Sequence, residues 1–270
     1  MPGTPIRVDI NGSTATAEQL RDYVLGPYGH FTAMQVRSAR TRGLALHLAR
    51  LDTATRELFG RGLDGDQIRA HIRHALGDVQ DASVRVIVYW PATGPDPAIM
   101  VTVRPPAHLA ADPQRLMPVP YQRPVPHIKH TGDVGQAYYG RAAVRDGFDD
   151  ALLTGPDGII AEGAITNIAF SDGSVLTWPD APCLAGITWQ LVEPRLAGSG
   201  LPTRRAPVRL ADLPSQHAAI VTNSHGVAPV GWIGPAELPG SVALAKAVVE
   251  IYESVPWDPI CATGQQPGHT

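Results

Sequence analysis

The sequence predicts an α/β (α+β) protein of two domains, and three observations carry that expectation. Short β-branched runs alternate with amphipathic helical patterns along most of the chain. Glycine and proline, 27 and 26 of 270 residues, cut it into many short elements. A proline-dense stretch near the middle then separates two such series, as an interdomain linker does. On this reading residues 1–117 form a smaller N-terminal domain, 118–126 the linker, and 127–270 a larger C-terminal domain.

In the first domain, Ser13 and Thr14 precede AEQLRDYVLG, a capped helix stopping near Gly26. HFTAMQVR (30–37) reads as a strand, followed by a basic turn with Arg40, Arg42 and Gly43. LALHLARLDTATRELFG is the clearest helix: Leu44, Leu48, Leu51 and Leu58 share a face with Thr55 in the remaining slot, and Gly60 ends it. A weaker helix follows Asp64 through Ile68, Ile72 and Leu76. SVRVIVYW (83–90) and AIMVTVR (98–104) form a strand pair around PATGPDP.

Residues 105–126 hold seven prolines and little periodicity, which makes RLMPVPYQRPVP the crossing segment. Beyond it GDVGQAYYGRAAVRDGF predicts a helix, and four short strands follow around ALLT, GIIA, AITNIAF and SVLTW. GITWQLVEPRLAGSG predicts a helix that starts at Ile187 and is interrupted by Pro194. Strands near RRAPVRL, AAIVTN and GVAPVGW and a last helix over SVALAKAVVEIYESV complete the chain, with a frayed tail after Trp257.

Composition narrows the function classes. A net charge of −3 gives no field for nucleic acid or an anionic membrane. No run approaches the ~20 apolar residues needed to cross a bilayer, and MPGTPIRVDI lacks the blocks of a signal peptide. Cys183 and Cys261 are too few for a zinc cluster or a disulfide framework, so a cytoplasmic protein with reduced thiols is expected. His71 and His74 have the HxxH spacing, but no third ligand is evident and no metal is expected.

Six short motifs stand in one order: HLARL (47–51), IK (128–129), GFDDALL (147–153), EGAITN (162–167), LAGIT (184–188) and VTNSHGVAPV (221–230). This ordered set resembles the class IV, fold-type IV pyridoxal-phosphate enzymes, which include branched-chain and D-amino-acid aminotransferases and aminodeoxychorismate lyase. The resemblance spans residues 30–235, and its strength lies in the order, since each motif alone is weak.

The resemblance implies a pyridoxal 5'-phosphate cofactor and a small-molecule amine or oxo-acid substrate. Lys129 matches the lysine that forms the Schiff base and then shuttles the α-proton, chemistry open to a neutral amine. Glu162, heading a short strand, matches the acid that faces the pyridine nitrogen. Arg50 matches the arginine that reaches the phosphate. Ile187 and Thr188, at a helix start, would hold the same anion through backbone N–H groups, with the Thr222 hydroxyl adding a contact. Asn167 closes the EGAITN motif on the cofactor side. Family members are generally dimers, so a homodimer is implied. The expected activity is a ping-pong aminotransferase, with a lyase of the aminodeoxychorismate type and a non-catalytic relative as alternatives.

Several positions depart from the family pattern. Aminotransferases carry a tyrosine four or five residues after the lysine, where this chain has Asp133 and Val134, with Tyr138 and Tyr139 further on. Trp189 stands where an arginine often follows GIT. The strand that leads to an arginine trap in D-amino-acid transaminases ends here in Tyr89 and Trp90. Arg37 and Arg40 follow the first strand, where the family lines its substrate pocket. Arg37 and Trp90 are weak substrate candidates, and a solvated basic turn is the ordinary alternative. His30 and Arg104 carry no assigned role, and His47 is expected to pack beside Arg50.

Overall fold

The computed structural model describes residues 7–26 and 28–260. These fall into two compact units. The first takes in the chain up to Ala107, Lys129–Gly132 and the chain from Pro256; the second is His108–Ile128 with Asp133–Val255.

The first unit runs β1 (Arg7–Ile10), β2 (Ser13–Thr14), α1 (Ala17–Leu25), β3 (Gly29–Arg37), β4 (Arg40–Arg42), α2 (Leu44–Phe59), α3 (Gly65–Leu76), β5 (Ala82–Tyr89) and β6 (Ala98–Arg104). The second begins with β7 (Gln114–Pro120), α4 (Val134–Arg145), β8 (Asp150–Thr154), β9 (Ile160–Gly163), β10 (Asn167–Ser171) and β11 (Leu176–Pro179). It continues through α5 (Ile187–Leu196), β12 (Thr203–Ala206), β13 (Ala218–Asn223), β14 (Gly226–Ile233), β15 (Ala236–Glu237) and α6 (Ser241–Glu253). A final strand, β16 (Trp257–Pro259), rejoins the first unit.

The first sheet has the order β16-β4-β3-β5-β6-β1-β2, and its pairs are antiparallel. Strict alternation along β3 and β5 decides what each face does. Met34, Val36, Val84, Val86 and Val88 pack with Leu51 of α2 and Ile68 and Ile72 of α3. Phe31, Ile87 and Tyr89 join Ile10 and Met100 in a second cluster. Gly29 is required where β3 meets β5, because a Cβ there would overlap the Val88 carbonyl.

The buried stripe of α2 is Leu44, His47, Leu51, Ala54 and Thr55. Two of these are polar, and both are satisfied by β3: Thr32 Oγ1 meets His47 Nδ1 at 2.6 Å, and His30 Nε2 meets Thr55 Oγ1 at 2.8 Å. Burial lowers the pKa of His30 to about 4. It lowers His47 to about 3, with the Arg50 charge adding to the effect.

In the second sheet the strand path is β12-β11-β10-β13-β14-β7-β8-β9, with β15 paired to β14. It is mixed: β11 with β12, β14 with β7, and β7 with β8 run parallel. One core gathers Leu116, Leu152, Ile168, Phe170 and Val221; another sets Trp178, Trp189, Val192, Ile220 and Val248 together. The strands near the candidate site, β9, β10 and β11, are buried along their whole length.

Five local expectations change. Thr16, not Ser13 or Thr14, caps α1 through a capping box with Gln19, while Ser13 and Thr14 form β2. Arg40 and Arg42 lie on β4, and the turn falls at Ser38 and Ala39, both at positive φ. Much of the proline-rich crossing segment is strand β7. Helix α5 continues past Pro194 to Leu196. Beyond α6, β16 is ordered against β4, and Asp258 accepts the α2 N-terminal amide of Leu44 at 2.9 Å. Residues 261–270, the rest of the expected tail with Cys261, lie outside the described residues.

Candidate active site

Lys129 belongs to the first unit, held there by backbone bonds to β3. Its carbonyl accepts from the Phe31 amide at 2.8 Å, Thr131 donates to the Gly29 carbonyl at 2.9 Å, and His130 forms a bridge with His30. The Lys129 ammonium lies 4.8 Å from the Phe31 ring centroid. The Arg85 guanidinium lies over the same ring at 4.4 Å. Two cations therefore share one aromatic platform on a sheet built largely from apolar side chains.

Arg50, half-buried on α2, has its pKa lowered by burial to about 10. A guanidinium desolvated to this degree is suited to an anion. Arg37 spends one guanidinium nitrogen on the carbonyl of Val36 at 2.8 Å and on Gln35 Oε1 at 3.3 Å. Trp90 packs on the helix side of the sheet, 5.7 Å from the Phe59 ring of α2, with Arg61 over it. His74 pairs with buried Asp9 at 2.7 Å, and among the described residues no cluster fit for a metal ion forms.

Glu162 lies in the second unit and is the third residue of β9, not the head of the following strand. It is 5% exposed. Arg123 Nε donates to Oε1 at 2.8 Å and the Leu184 amide to Oε2 at 3.2 Å. Arg123 is itself buried, and its Nη1 and Nη2 donate to the carbonyls of Ile128 and Pro126. A buried carboxylate compensated in this way is fixed in direction as well as charge.

The candidate phosphate cradle assembles from three elements of the same unit. Asn167 on β10 stands opposite Thr222 on β13. Asn167 Nδ2 donates to the Leu184 carbonyl at 2.6 Å, and a Cβ at Gly186 would overlap its Oδ1, so glycine is obligatory before α5. Helix α5 opens at Gly186 with no side-chain cap, which leaves the amides of Ile187 and Thr188 without intrahelical acceptors. Thr188 uses its hydroxyl on the Asn223 carbonyl at 2.6 Å. The Thr222 hydroxyl is fully buried and has no hydrogen-bond partner. An orphaned hydroxyl beside bare helix amides fits a phosphate.

The departures from the family pattern also find places. Val134 begins α4 and is 82% exposed. Tyr138 faces outward, while Tyr139 packs on Tyr121 at 5.3 Å. Trp189 is a core residue stacked on Trp178 at 5.0 Å. Burial raises the Cys183 thiol to about 11, with Glu162 adding to the shift, which keeps it protonated and unreactive.

The family model for class IV amino-transferases matches residues 29–233. The chain belongs to that family. The solved structures of several aminotransferases share its fold. A branched-chain amino acid aminotransferase of Escherichia coli is 16% identical, with 96% of this chain and 100% of that one covered and a TM-score of 0.80. A branched-chain aminotransferase from Thermoproteus uzoniensis with norvaline is 21% identical over 93% and 94%, at 0.78. A hypothetical aminotransferase from Mycobacterium tuberculosis in a PLP-bound form is 21% identical over 94% of each chain, at 0.76. No curated protein matches the sequence. Among the described residues no helix is long and apolar enough to cross a membrane.

For this class IV family member two further residues matter that sequence reasoning passed over. Arg123 stood inside the proline run, and its partner lies 39 residues on, so no local pattern could connect them. Arg85 left a clearer signal, a cation inside the apolar strand SVRVIVYW. The lysine count is equally telling: the chain has only Lys129 and Lys246, and only Lys129 lies in the matched span.

Proposed function

We propose that this protein is a pyridoxal-phosphate-dependent aminotransferase that moves an amino group from an amino acid to an oxo acid in two half-reactions. The observation that carries the proposal is Lys129, the single lysine of the matched span, seated with Arg85 over the Phe31 ring. Its counterpart, Lys246, is exposed on α6.

Pyridoxal phosphate, when bound, supplies an electron sink for the pair left on the substrate α-carbon. Lys129 would hold the cofactor through its side-chain nitrogen. The same amine would act as the base that moves the proton at the substrate α-carbon. Glu162, aimed by Arg123 and the Leu184 amide, would serve the ring nitrogen and keep a proton there. The Thr222 hydroxyl and the amides of Ile187 and Thr188 would hold the phosphate, Asn167 would close the cradle behind Gly186, and Arg50 is the further residue proposed for the same anion. Arg85 receives the substrate carboxylate, with Arg37 further along the same sheet face as a second cation. A cytoplasmic homodimer is the proposed assembly. The exposed apolar Leu20, Val24 and Leu25 of α1 support it, and a monomeric mass in solution would contradict it.

The visible spectrum of the purified protein with added cofactor tests the reading. The expected result is a yellow protein whose band is missing from Lys129→Ala; a colourless wild type that takes up no cofactor would sink it. A lyase of the aminodeoxychorismate type is the second reading, favoured by exposed Val134 where aminotransferases carry tyrosine. It predicts pyruvate release from aminodeoxychorismate with no oxo acid present, whereas a transaminase needs one.

A further inference from the structure

Gln136, the third residue of α4, is a polar side chain to which the mechanism above gives no role. Gln19 holds the same position in α1, where it closes a capping box with Thr16. No such box forms in α4. Asp133, the residue before the helix, caps nothing with its side chain, and Gln136 Nε2 donates instead to the Ala164 carbonyl at 2.6 Å. Ala164 is buried in the turn between β9 and β10. Helix α4 lies directly over it: a Cβ on Gly140 would stand 3.6 Å from the Ala164 Cβ, and Ala143 packs in the same cluster. The Ala164 amide donates to the Ala151 carbonyl of β8 at 2.9 Å, and the Gly163 amide to the Thr166 carbonyl at 2.8 Å. Gln136 thus reaches 28 residues along the chain to hold the turn that follows Glu162 and precedes Asn167.

We propose that Gln136 is a positioning residue for Glu162, its side-chain amide fixing through the Ala164 carbonyl the turn in which β9 ends. The proposal rests on the role given to Glu162 above. A glutamate in place of Gln136 would suit the positive end of α4, whose first turn holds no acid. Gln136 forgoes that charge and keeps a donor, which the buried Ala164 carbonyl requires and an ionised carboxylate lacks. With its amide on β8 and its carbonyl on α4, Ala164 is anchored on two sides. It stands one residue beyond Gly163, the last of β9, and two beyond Glu162.

The test uses two variants of the full-length protein at neutral pH. Gln136→Met keeps the length and loses the donor; Gln136→Glu keeps the shape and sets a charge against the carbonyl. Amide exchange without cofactor is the first readout. The Gly163 and Ala164 amides should exchange about five- to tenfold faster in Gln136→Met, as the loss of one hydrogen bond predicts, and faster again in Gln136→Glu. A residue that served only α4 gives the reverse order, because glutamate favours a helix N-terminus. Wild-type exchange in either variant, or that reverse order, would overturn the proposal. The second readout is nitrogen NMR of pyridoxal phosphate labelled at its ring nitrogen and bound to each protein. The resonance should move toward its unprotonated position in both variants. A resonance that stays at the wild-type position would overturn the positioning role even where exchange is faster. A wild type that binds no cofactor yet shows the exchange difference would sink the functional reading, and the positioning role with it, and leave the tie to Ala164 standing.

Discussion

Lys129 and Glu162 are held in opposite ways. The lysine is fixed by its backbone, through β3 bonds at Phe31 and Gly29, while its side chain rests on an aromatic face. The acid is fixed by its carboxylate, which receives a guanidinium and an amide inside a fully buried strand. The difference suits the role proposed for each. A group that bonds, lets go and moves a proton works from a rigid root; a group that faces one nitrogen throughout needs a rigid tip.

The largest effect should come from the lysine. Lys129→Ala removes the only lysine amine in the matched span, and turnover should fall by roughly a thousandfold or more while the thermal midpoint stays near wild type. Rigidity at the tip is probed by Arg123→Met, which strands a buried carboxylate. Loss of one partner of such a pair costs about 3–5 kcal/mol, read as a lower urea midpoint. Adding Glu162→Gln to that variant should recover part of the loss, and no recovery would mean the pair is not coupled. Glu162→Gln alone should still take up cofactor but slow proton transfer by about a hundredfold, and an unchanged rate would refute its role.

The units also answer pH in opposite senses. His30 and His47 have folded pKa values, about 4 and about 3, below the unfolded 6.5. Their stabilisation is therefore complete above pH 6.5 and drains away as pH falls toward 4. Between pH 7 and 5 each should cost the first unit about 2 kcal/mol. Asp150 has a folded pKa raised above its unfolded value, so its contribution is present in acid and lost as pH rises through about 6. Over the same interval it should favour the second unit by about 1 kcal/mol. Local exchange rates at pH 7 and 5 should accordingly rise in α2 and β3 more than in β8. Equal acid sensitivity would break the comparison.

How far the sequence revealed this follows from the range of each interaction. Helices α2 and α3 and the hairpin of β5 and β6 were legible because caps, glycine stops and alternation are local. The six ordered motifs carried the family, whose model matches residues 29–233. What stayed hidden was non-local. Strand β7 was masked by Pro118 and Pro120, tolerated because they sit beyond its short pairing with β14, where β8 alone flanks the strand. Strand β16 exists through β4 and through Arg40, whose guanidinium donates to the Trp257 carbonyl 217 residues away. His47 and Thr55 looked like polar interruptions of the α2 stripe until β3 supplied their partners.

The most direct test of the central claim is borohydride reduction of the protein mixed with pyridoxal phosphate, followed by peptide mass mapping. With only two lysines in the chain the outcome is unambiguous. The account predicts one phosphopyridoxyl group, on Lys129. A label on Lys246, or an unmodified chain, would contradict it.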